Sequence, residues 1–162
     1  MKGTAFKVIK NSMIEFKKAQ LTNLSDINAL IEGSRSVWNY PEEYAKASLH
    51  LITMDEKTLN SEICYEIRNP ELVGFLSFEK REDEVFLENL WIKKSTLKQG
   101  IGAATSKFID QLANENGWSK IQVFPDPPAE GFYLKCGYIN TGNKFPSRIQ
   151  GRPTFTLFEK AY

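Results

Sequence analysis

Histidine and cysteine are scarce in this 162-residue sequence, which has one histidine, His50, and two cysteines, Cys64 and Cys136. The cysteines form no Cys-x-x-Cys pair, so the sequence indicates neither a Cys/His metal site nor a disulfide framework. A single histidine without a flanking motif also argues against Ser-His-Asp and Cys-His mechanisms. We therefore expect no metal cofactor.

Long apolar runs and an excess of one charge are lacking as well. No run approaches the ~20 residues of a membrane span, and the lysine-containing start has no apolar core typical of a secretory signal. The net charge of +1 indicates no basic surface for nucleic acid or membranes. We expect a cytoplasmic protein without such partners, with residues 1–12 as a loosely ordered leader and residues 13–162 as one domain.

Hydrophobic periodicity predicts an α+β domain. Strands are predicted over 13–19, 63–67, 72–78, 85–93, 121–124, 138–141 and 154–158, and helices over 24–37, 42–49, 100–116 and 127–136. A strand–helix–strand unit beginning at Val85 implies a parallel, right-handed crossover. The expected fold is a mixed, mostly antiparallel central sheet with helices on both faces.

The segment Lys98-Gln99-Gly100-Ile101-Gly102-Ala103-Ala104 lies between a predicted strand and a predicted helix. Glycines there let the backbone approach a ligand closely, and successive N–H groups at the start of a helix suit phosphate oxygens. The loop is not a P-loop, which ends in Gly-Lys-Ser/Thr, and Thr105 replaces the third glycine of a dinucleotide fingerprint. A Gly-x-Gly alone is a weak indication of a phosphate site.

A second block, Ala129-Glu130-Gly131-Phe132-Tyr133-Leu134-Lys135-Cys136-Gly137-Tyr138, follows the loop by one helix and one strand. The loop and this block resemble the GNAT family of N-acetyltransferases, whose motifs are Gln/Arg-x-x-Gly-x-Gly/Ala and Ala-x-x-Phe-Tyr-x-Lys-x-Gly-Phe/Tyr. The second motif matches at every marked position. Segments 38–44, 87–92, 126–130 and 146–152 are similar to small bacterial members, so the resemblance spans roughly Ile14 to Phe158.

The resemblance implies a GNAT fold and acetyl transfer from acetyl-CoA to a primary amine, by direct attack through a tetrahedral intermediate. It implies that acetyl-CoA contacts Trp91, Ile92, Leu97, Lys98, Gln99, Gly100, Ile101, Gly102, Ala103, Ala104, Asp126, Ala129, Phe132 and Tyr133. Two positions depart from the pattern. Leu97 stands at the Gln/Arg position, so backbone amides are expected to bind the pyrophosphate. Pro128 stands where Asn is commoner.

Two side chains are candidates for proton transfer. Tyr133 matches the family's general acid, and a hydroxyl with a pKa of about 10 holds its proton at pH 7; the alternative is a packing tyrosine. Glu88 is the candidate general base, directly or through water, because a carboxylate within an apolar strand suggests a cleft; a partnered structural carboxylate is equally compatible. Strict alternation places Phe86, Glu88 and Leu90 on one face and Leu87, Asn89 and Trp91 on the other. The oxyanion is expected at the backbone N–H of Trp91 or Ile92.

The acceptor side is expected after the first helix and before the last strand. Its predicted substrate-binding residues are Trp38, Tyr40, Glu42, Glu88 and Arg148. Aromatic and acidic groups would suit a small cationic amine, although acids at the start of a helix also interact favourably with its dipole. A non-catalytic acyl-CoA-binding module and a protein N-acetyltransferase are the alternative functions, and a homodimer would be common in the family.

Overall fold

A computed structural model describes residues 4–7, 13–149 and 154–162. Its strands are β1 Thr4–Lys7, β2 Met13–Lys18, β3 Ile63–Arg68, β4 Leu72–Arg81, β5 Glu84–Ile92, β6 Lys120–Val123, β7 Ile139–Phe145 and β8 Phe155–Ala161. Its helices are α1 Leu24–Arg35, α2 Glu42–Ile52, α3 Glu56–Ser61, α4 Ile101–Asn116 and α5 Glu130–Lys135. Short 3₁₀ turns lie at Leu21–Asn23, Ser36–Trp38, Lys94–Thr96 and Pro127–Ala129.

The described strands form one sheet in the order β1-β2-β3-β4-β5-β6-β8-β7. Every neighbouring pair is antiparallel except β5 and β6, which are parallel and joined by α4. This arrangement confirms the predicted mixed, mostly antiparallel sheet and its crossover. Thr4–Lys7 falls within the predicted leader and pairs with β2; the rest of residues 1–12 lies outside the described residues.

Helices cover both faces of the sheet, as predicted. On one face, α4 buries a stripe at helical spacing that includes Phe108, whose ring stacks on Phe16 of β2 at 4.2 Å between centroids. On the other face, Ile27 and Ile31 of α1 pack with Trp91 of β5 in a second apolar cluster. The sheet therefore holds β5 between two cores, and β5 carries the candidate catalytic carboxylate.

The ends of several helices and strands differ from the predicted ends, and local contacts explain the differences. Helix α2 begins at Glu42 as predicted, directly after Pro41 with φ −52° and ψ 140°, and ends at Ile52, three residues beyond its predicted end. Asn23 precedes α1 but does not cap it, because its Nδ2 donates to the Glu66 carboxylate and its Oδ1 accepts no hydrogen bond from the helix. Strand β7 runs to Phe145, four residues beyond its predicted end, because its polar residues pair with β8. None of the helices in the described ranges has the length and apolarity required to span a membrane.

Candidate active site

Strands β5 and β6 pair over only two positions before they diverge. Val85 pairs with Ile121 and Phe86 with Gln122, and the part of β5 beyond Phe86 remains paired with β4 alone. The sheet therefore opens between the carboxyl ends of two parallel strands, where ligands of open α/β sheets commonly bind. The gap lies beside the loop that precedes α4.

Backbone alternation decides which amide faces this gap. The Lys93 N–H donates to the Val73 carbonyl at 2.7 Å, and the register pairs Phe75 with Trp91. Alternate residues of an antiparallel strand direct their N–H groups to the same neighbour. The Trp91 N–H is therefore directed towards β4, and the Ile92 N–H points away from β4, towards the gap.

A β-bulge lies at Glu88. Ser77 pairs with Asn89 and Phe78 pairs with Leu87, which leaves Glu88 as an extra residue in β5. The bulge makes the predicted alternation wrong beyond this point. Leu90 packs against the apolar cluster beneath α4 that includes Phe16 and Phe108, called here the α4-side core. Glu88, Asn89 and Trp91 all line a cavity on the opposite face of the sheet.

The bulge leaves the Glu88 side chain 27% exposed at the wall of the cavity. Its Oε1 atom accepts a hydrogen bond from Arg81 Nη2 at 3.0 Å. Burial raises the pKa of Glu88 to about 7, with further contributions from neighbouring Glu79 and Glu62. A carboxyl group with a pKa near the working pH can accept and release a proton.

The cavity measures about 570 Å³ and lies among α2, α3, the bulge of β5 and the segment before β8. Of the predicted acceptor residues, Tyr40, Glu88 and Arg148 line it. Glu42 does not: its side chain is 81% exposed and pairs with Lys46 at 2.9 Å on the surface of α2. Its place at the start of α2 fits a favourable interaction with the helix dipole.

Aromatic rings connect the acceptor segment to β5. The Trp38 ring lies 5.3 Å from the Trp91 ring and 6.1 Å, edge-on, from the Tyr40 ring. The Tyr40 hydroxyl donates to Asp126 Oδ1 at 2.9 Å. Asp126 thus lies on the acceptor cavity, although its sequence motif assigned it to the cofactor, and burial raises the pKa of its carboxyl group.

Two features of this cavity were not predicted from the sequence. Arg35 is only 8% exposed, and its guanidinium donates to Ser48 Oγ at 2.6 Å and to the Ala45 carbonyl at 2.7 Å. It ends an otherwise ordinary amphipathic helix, and an arginine on the apolar side of that helix was the available clue.

The second missed feature is a chain of hydrogen bonds behind the bulge. Trp91 Nε1 donates to Asn89 Oδ1 at 3.0 Å, Asn89 Nδ2 donates to Ser77 Oγ at 2.9 Å, and Ser77 Oγ donates to Glu62 Oε1 at 2.6 Å. Ser77 is fully buried. The chain fixes the Asn89 side chain next to Glu88, and no spacing in the sequence reveals it because the members lie on three separate segments.

The loop before α4 combines positive φ angles with unpaired amides. Lys98 has φ 69° and Gly100 has φ 80°, and the Gln99 N–H already donates to the Thr96 carbonyl at 3.3 Å. The N–H groups of Ile101, Gly102 and Ala103 belong to the first turn of α4, where no intrahelical acceptor exists. This backbone fits a phosphate group.

The apolar side chains of the loop contribute little to such a site. Ile101 and Ala104 are buried in the α4-side core, whereas Leu97 is 48% exposed. Gly102 does not have a positive φ; a Cβ there would come within 2.8 Å of the Phe132 ring. Gly102 therefore leaves room for the Phe132 ring in the contact between α4 and α5, and its role in binding the ligand through its backbone stays a prediction.

Tyr133 is buried in the α4-side core, with Phe132 and Tyr138 edge-on at 5.2 and 5.3 Å between ring centroids. Ala129 packs against the same core. Burial raises the pKa of the Tyr133 hydroxyl well above its usual value. The phenol therefore keeps its proton throughout the physiological range.

Comparison with known proteins agrees with this arrangement. The model of the acetyltransferase (GNAT) family matches residues 27–138. The chain belongs to the GNAT family. It is accordingly an acyltransferase, and the predicted enzyme class and fold are confirmed. A search of curated proteins found no match.

Solved structures similar to this GNAT protein share its fold at low sequence identity. PaiA N-acetyltransferase from Thermoplasma acidophilum, in complex with coenzyme A, is 18% identical with a TM-score of 0.71, over 92% of this chain and 99% of the other. A GCN5-related N-acetyltransferase from Rhodopseudomonas palustris is 17% identical with a TM-score of 0.75, over 91% and 94%. A ribosomal-protein-alanine N-acetyltransferase from Escherichia coli is 16% identical with a TM-score of 0.66, over 92% and 94%.

The described residues contain no group of three or more His, Cys, Asp or Glu side chains that could hold a metal ion.

Proposed function

We propose that the protein transfers the acetyl group of acetyl-CoA to the primary amine of a small-molecule acceptor. The observation that carries this proposal is the position of Glu88. The bulge directs its carboxylate into the cavity just beyond the last paired position of β5 and β6. An amine in the cavity would then lie between a base and the gap in the sheet.

Acetyl-CoA is proposed to enter this gap with its pyrophosphate at the loop before α4. The first-turn amides of α4 and the positive φ angles of Lys98 and Gly100 support this placement. The similar structure of the Thermoplasma protein is a complex with coenzyme A. Leu97 offers no charge or hydrogen bond, so backbone groups would hold the phosphates, with Lys98 adding a positive charge nearby.

The acetyl group would be polarised by the Ile92 N–H, which points towards the gap. A backbone N–H at a fixed position stabilises an oxyanion without reorganisation, and losing one such donor typically costs on the order of 10²–10³ in kcat. Alternation of the β5 backbone favours Ile92 over Trp91 for this role.

Glu88 would take a proton from the ammonium form of the acceptor, which frees its lone pair for attack on the thioester carbonyl. Tyr133 would then donate its hydroxyl proton to the departing thiolate and recover a proton from the attacking nitrogen, which leaves the amide, the free thiol and a neutral phenol. Burial raises the pKa of this hydroxyl and disfavours a phenolate, so the two proton transfers would occur together. A packing tyrosine is the alternative role, and the Tyr133→Phe variant distinguishes the two.

Size and polarity of the cavity favour a small amine. Acceptor cavities for small molecules commonly measure about 300–1,000 Å³, and this cavity has one aromatic side at Tyr40 and one acidic side at Glu62, Glu79 and Glu88. A protein N-terminus remains the alternative acceptor, because similar structures include a ribosomal-protein acetyltransferase.

Release of the free thiol of coenzyme A, measured over a panel of primary amines and N-terminal peptides, tests the proposal. Wild type should turn over a small amine, and Glu88→Gln should lower kcat/KM by about 10²-fold or more at pH 7 while acetyl-CoA binding measured by calorimetry persists. Glu71→Gln, an exposed acid on the β3–β4 turn, is the matched control. Acetyl-CoA binding without turnover on any amine would favour a binding module, and turnover of peptides alone would favour a protein acetyltransferase.

A further inference from the structure

Arg81 joins two carboxylates at the edge of the acceptor cavity. Its Nη2 atom lies 2.9 Å from Glu79 Oε2 and 3.0 Å from Glu88 Oε1. Glu79 and Glu88 both line the cavity, and Arg81 stands at the end of β4 behind them. One guanidinium is thus shared by two acids, one of which is the proposed base.

The sheet determines this arrangement. Glu79 and Arg81 are two residues apart on β4 and therefore lie on the same face. Across the ladder, Glu79 pairs with Phe86, and the Arg81 guanidinium lies 4.5 Å from the centroid of the Phe86 ring. The ring holds the guanidinium over the sheet, and the bulge brings Glu88 to it.

We propose that Arg81 and Glu79 are positioning residues for Glu88, with the guanidinium orienting its carboxylate into the cavity and Glu79 keeping it ready to accept a proton. The inference rests on the proposed function, in which Glu88 receives a proton from the acceptor ammonium. It assigns the two β4 side chains opposite effects on one group. If Glu79 and Arg81 only stabilised the fold, replacing them would not shift the titration of Glu88 in opposite directions.

The charges around Glu88 support opposite effects. Burial raises the pKa of Glu88 most, Glu79 and Glu62 raise it further, and Arg81 lowers it. Glu79 itself has a lowered pKa, chiefly because it accepts the hydrogen bond from Arg81, and Arg148 from the segment before β8 acts in the same direction. His50 of α2 lines the same cavity. Glu79 therefore ionises at a lower pH than Glu88.

NMR of the glutamate carboxyl carbons measures the titration of Glu88 directly and needs no acceptor amine. In protein labelled with ¹³C at the glutamate carboxyl carbon, the Glu88 resonance is assigned by its loss in Glu88→Gln and then titrated. Wild type should titrate near pH 7. Glu79→Gln should move the midpoint down and Arg81→Gln should move it up, each by about one pH unit. Arg81→Lys should fall between Arg81→Gln and wild type, because it keeps the charge and loses the planar fork.

Asp83→Asn is the matched control, since it neutralises an exposed acid in the same hairpin; it should leave the midpoint unchanged. The pH profile of kcat/KM for a turned-over amine should shift in the same directions as the NMR midpoints. Titration of Glu88 near pH 4, or shifts of the same sign in Glu79→Gln and Arg81→Gln, would overturn the proposal. Opposite NMR shifts combined with normal turnover in Glu88→Gln would instead leave the positioning intact and reject Glu88 as the base.

Discussion

The ring of Phe132 lies 2.8 Å from the position that a Cβ on Gly102 would occupy. The first turn of α4 and the short helix α5 therefore approach each other as closely as they do because residue 102 has no side chain. This contact joins the first turn of α4, whose amides are proposed to hold the pyrophosphate, to the helix that carries Tyr133, the proposed acid. The distance between these two parts of the site thus depends on glycine at position 102, because the methyl group of an alanine there would push them apart.

Gly102→Ala should therefore weaken acetyl-CoA binding and lower stability. Added volume in a packed contact costs about 1–3 kcal/mol, which exceeds the gain of up to about 1 kcal/mol that alanine brings to a helix. We expect a Kd for acetyl-CoA about tenfold higher, measured by calorimetry, and a lower urea midpoint.

Gly33→Ala is the control for that experiment, because Gly33 lies within α1 and a Cβ there would meet nothing within 4 Å. It should raise stability and leave acetyl-CoA binding unchanged. Combining Gly102→Ala with Phe132→Leu should cost less than the sum of the two single changes. Strict additivity would show that the Gly102–Phe132 contact has no energetic role.

Tyr133→Phe should reduce turnover by about 10²-fold or more and leave the Kd for acetyl-CoA within about twofold of wild type, if the hydroxyl protonates the thiolate. Tyr138→Phe makes the same chemical change in an adjacent ring, 5.3 Å away, at a position where the family pattern accepts Phe or Tyr. It should retain activity. Equal losses in both variants would indicate that core packing, and not proton donation, is what Tyr133 supplies.

The fold could be predicted well from the sequence because its signals are local. Hydrophobic spacing identified α4, and Gly117, with φ 67°, ends it where predicted. The two glycine-containing blocks then indicated the family, which the match over 27–138 confirms. These features depend on neighbours in sequence, so they can be recognised without knowing the tertiary structure.

The cavity could be predicted only in part because its geometry depends on register. Strict alternation placed Leu90 with Glu88, and the bulge at Glu88 reversed that relation. A bulge inserts one residue without changing composition, so hydrophobic pattern alone does not locate it. For the same reason, the contacts of Arg81 and the buried Arg35 emerged only once β4, β5 and α1 were placed together.

Glu88 should make the protein less stable as pH rises. The pKa of an unfolded glutamate is about 4.3, and in the folded protein burial raises that of Glu88 to about 7. The native state therefore binds the proton more tightly, so this contribution to stability is complete below about pH 4.3 and is lost as pH rises to about 7.

Glu88→Gln removes this titration and should be more stable than wild type at pH 8, by about 1–3 kcal/mol. The two proteins should converge near pH 4, as measured by urea unfolding across the pH range. Glu71→Gln should follow wild type at every pH. A constant difference between Glu88→Gln and wild type would show that the Glu88 carboxyl group titrates equally in the folded and unfolded states.

Two lysines form ion pairs of different burial, and they should differ in their effect on stability. Lys160 Nζ lies 2.9 Å from Asp110 Oδ1 and donates to the Cys136 carbonyl at 2.7 Å, which ties β8 to α4 and to the end of α5. Lys46 pairs with Glu42 on the surface of α2, where both side chains are at least 75% exposed.

Lys160→Met should lower the free energy of unfolding by about 1–3 kcal/mol, because it removes charge-assisted hydrogen bonds from a half-buried carboxylate and a carbonyl. Lys46→Met should change it by about 0.5 kcal/mol or less, since solvent screens an exposed pair. Urea unfolding of both variants at one pH provides the comparison. Equal effects would mean that the Lys160 contacts gain no more from their burial than a surface pair does.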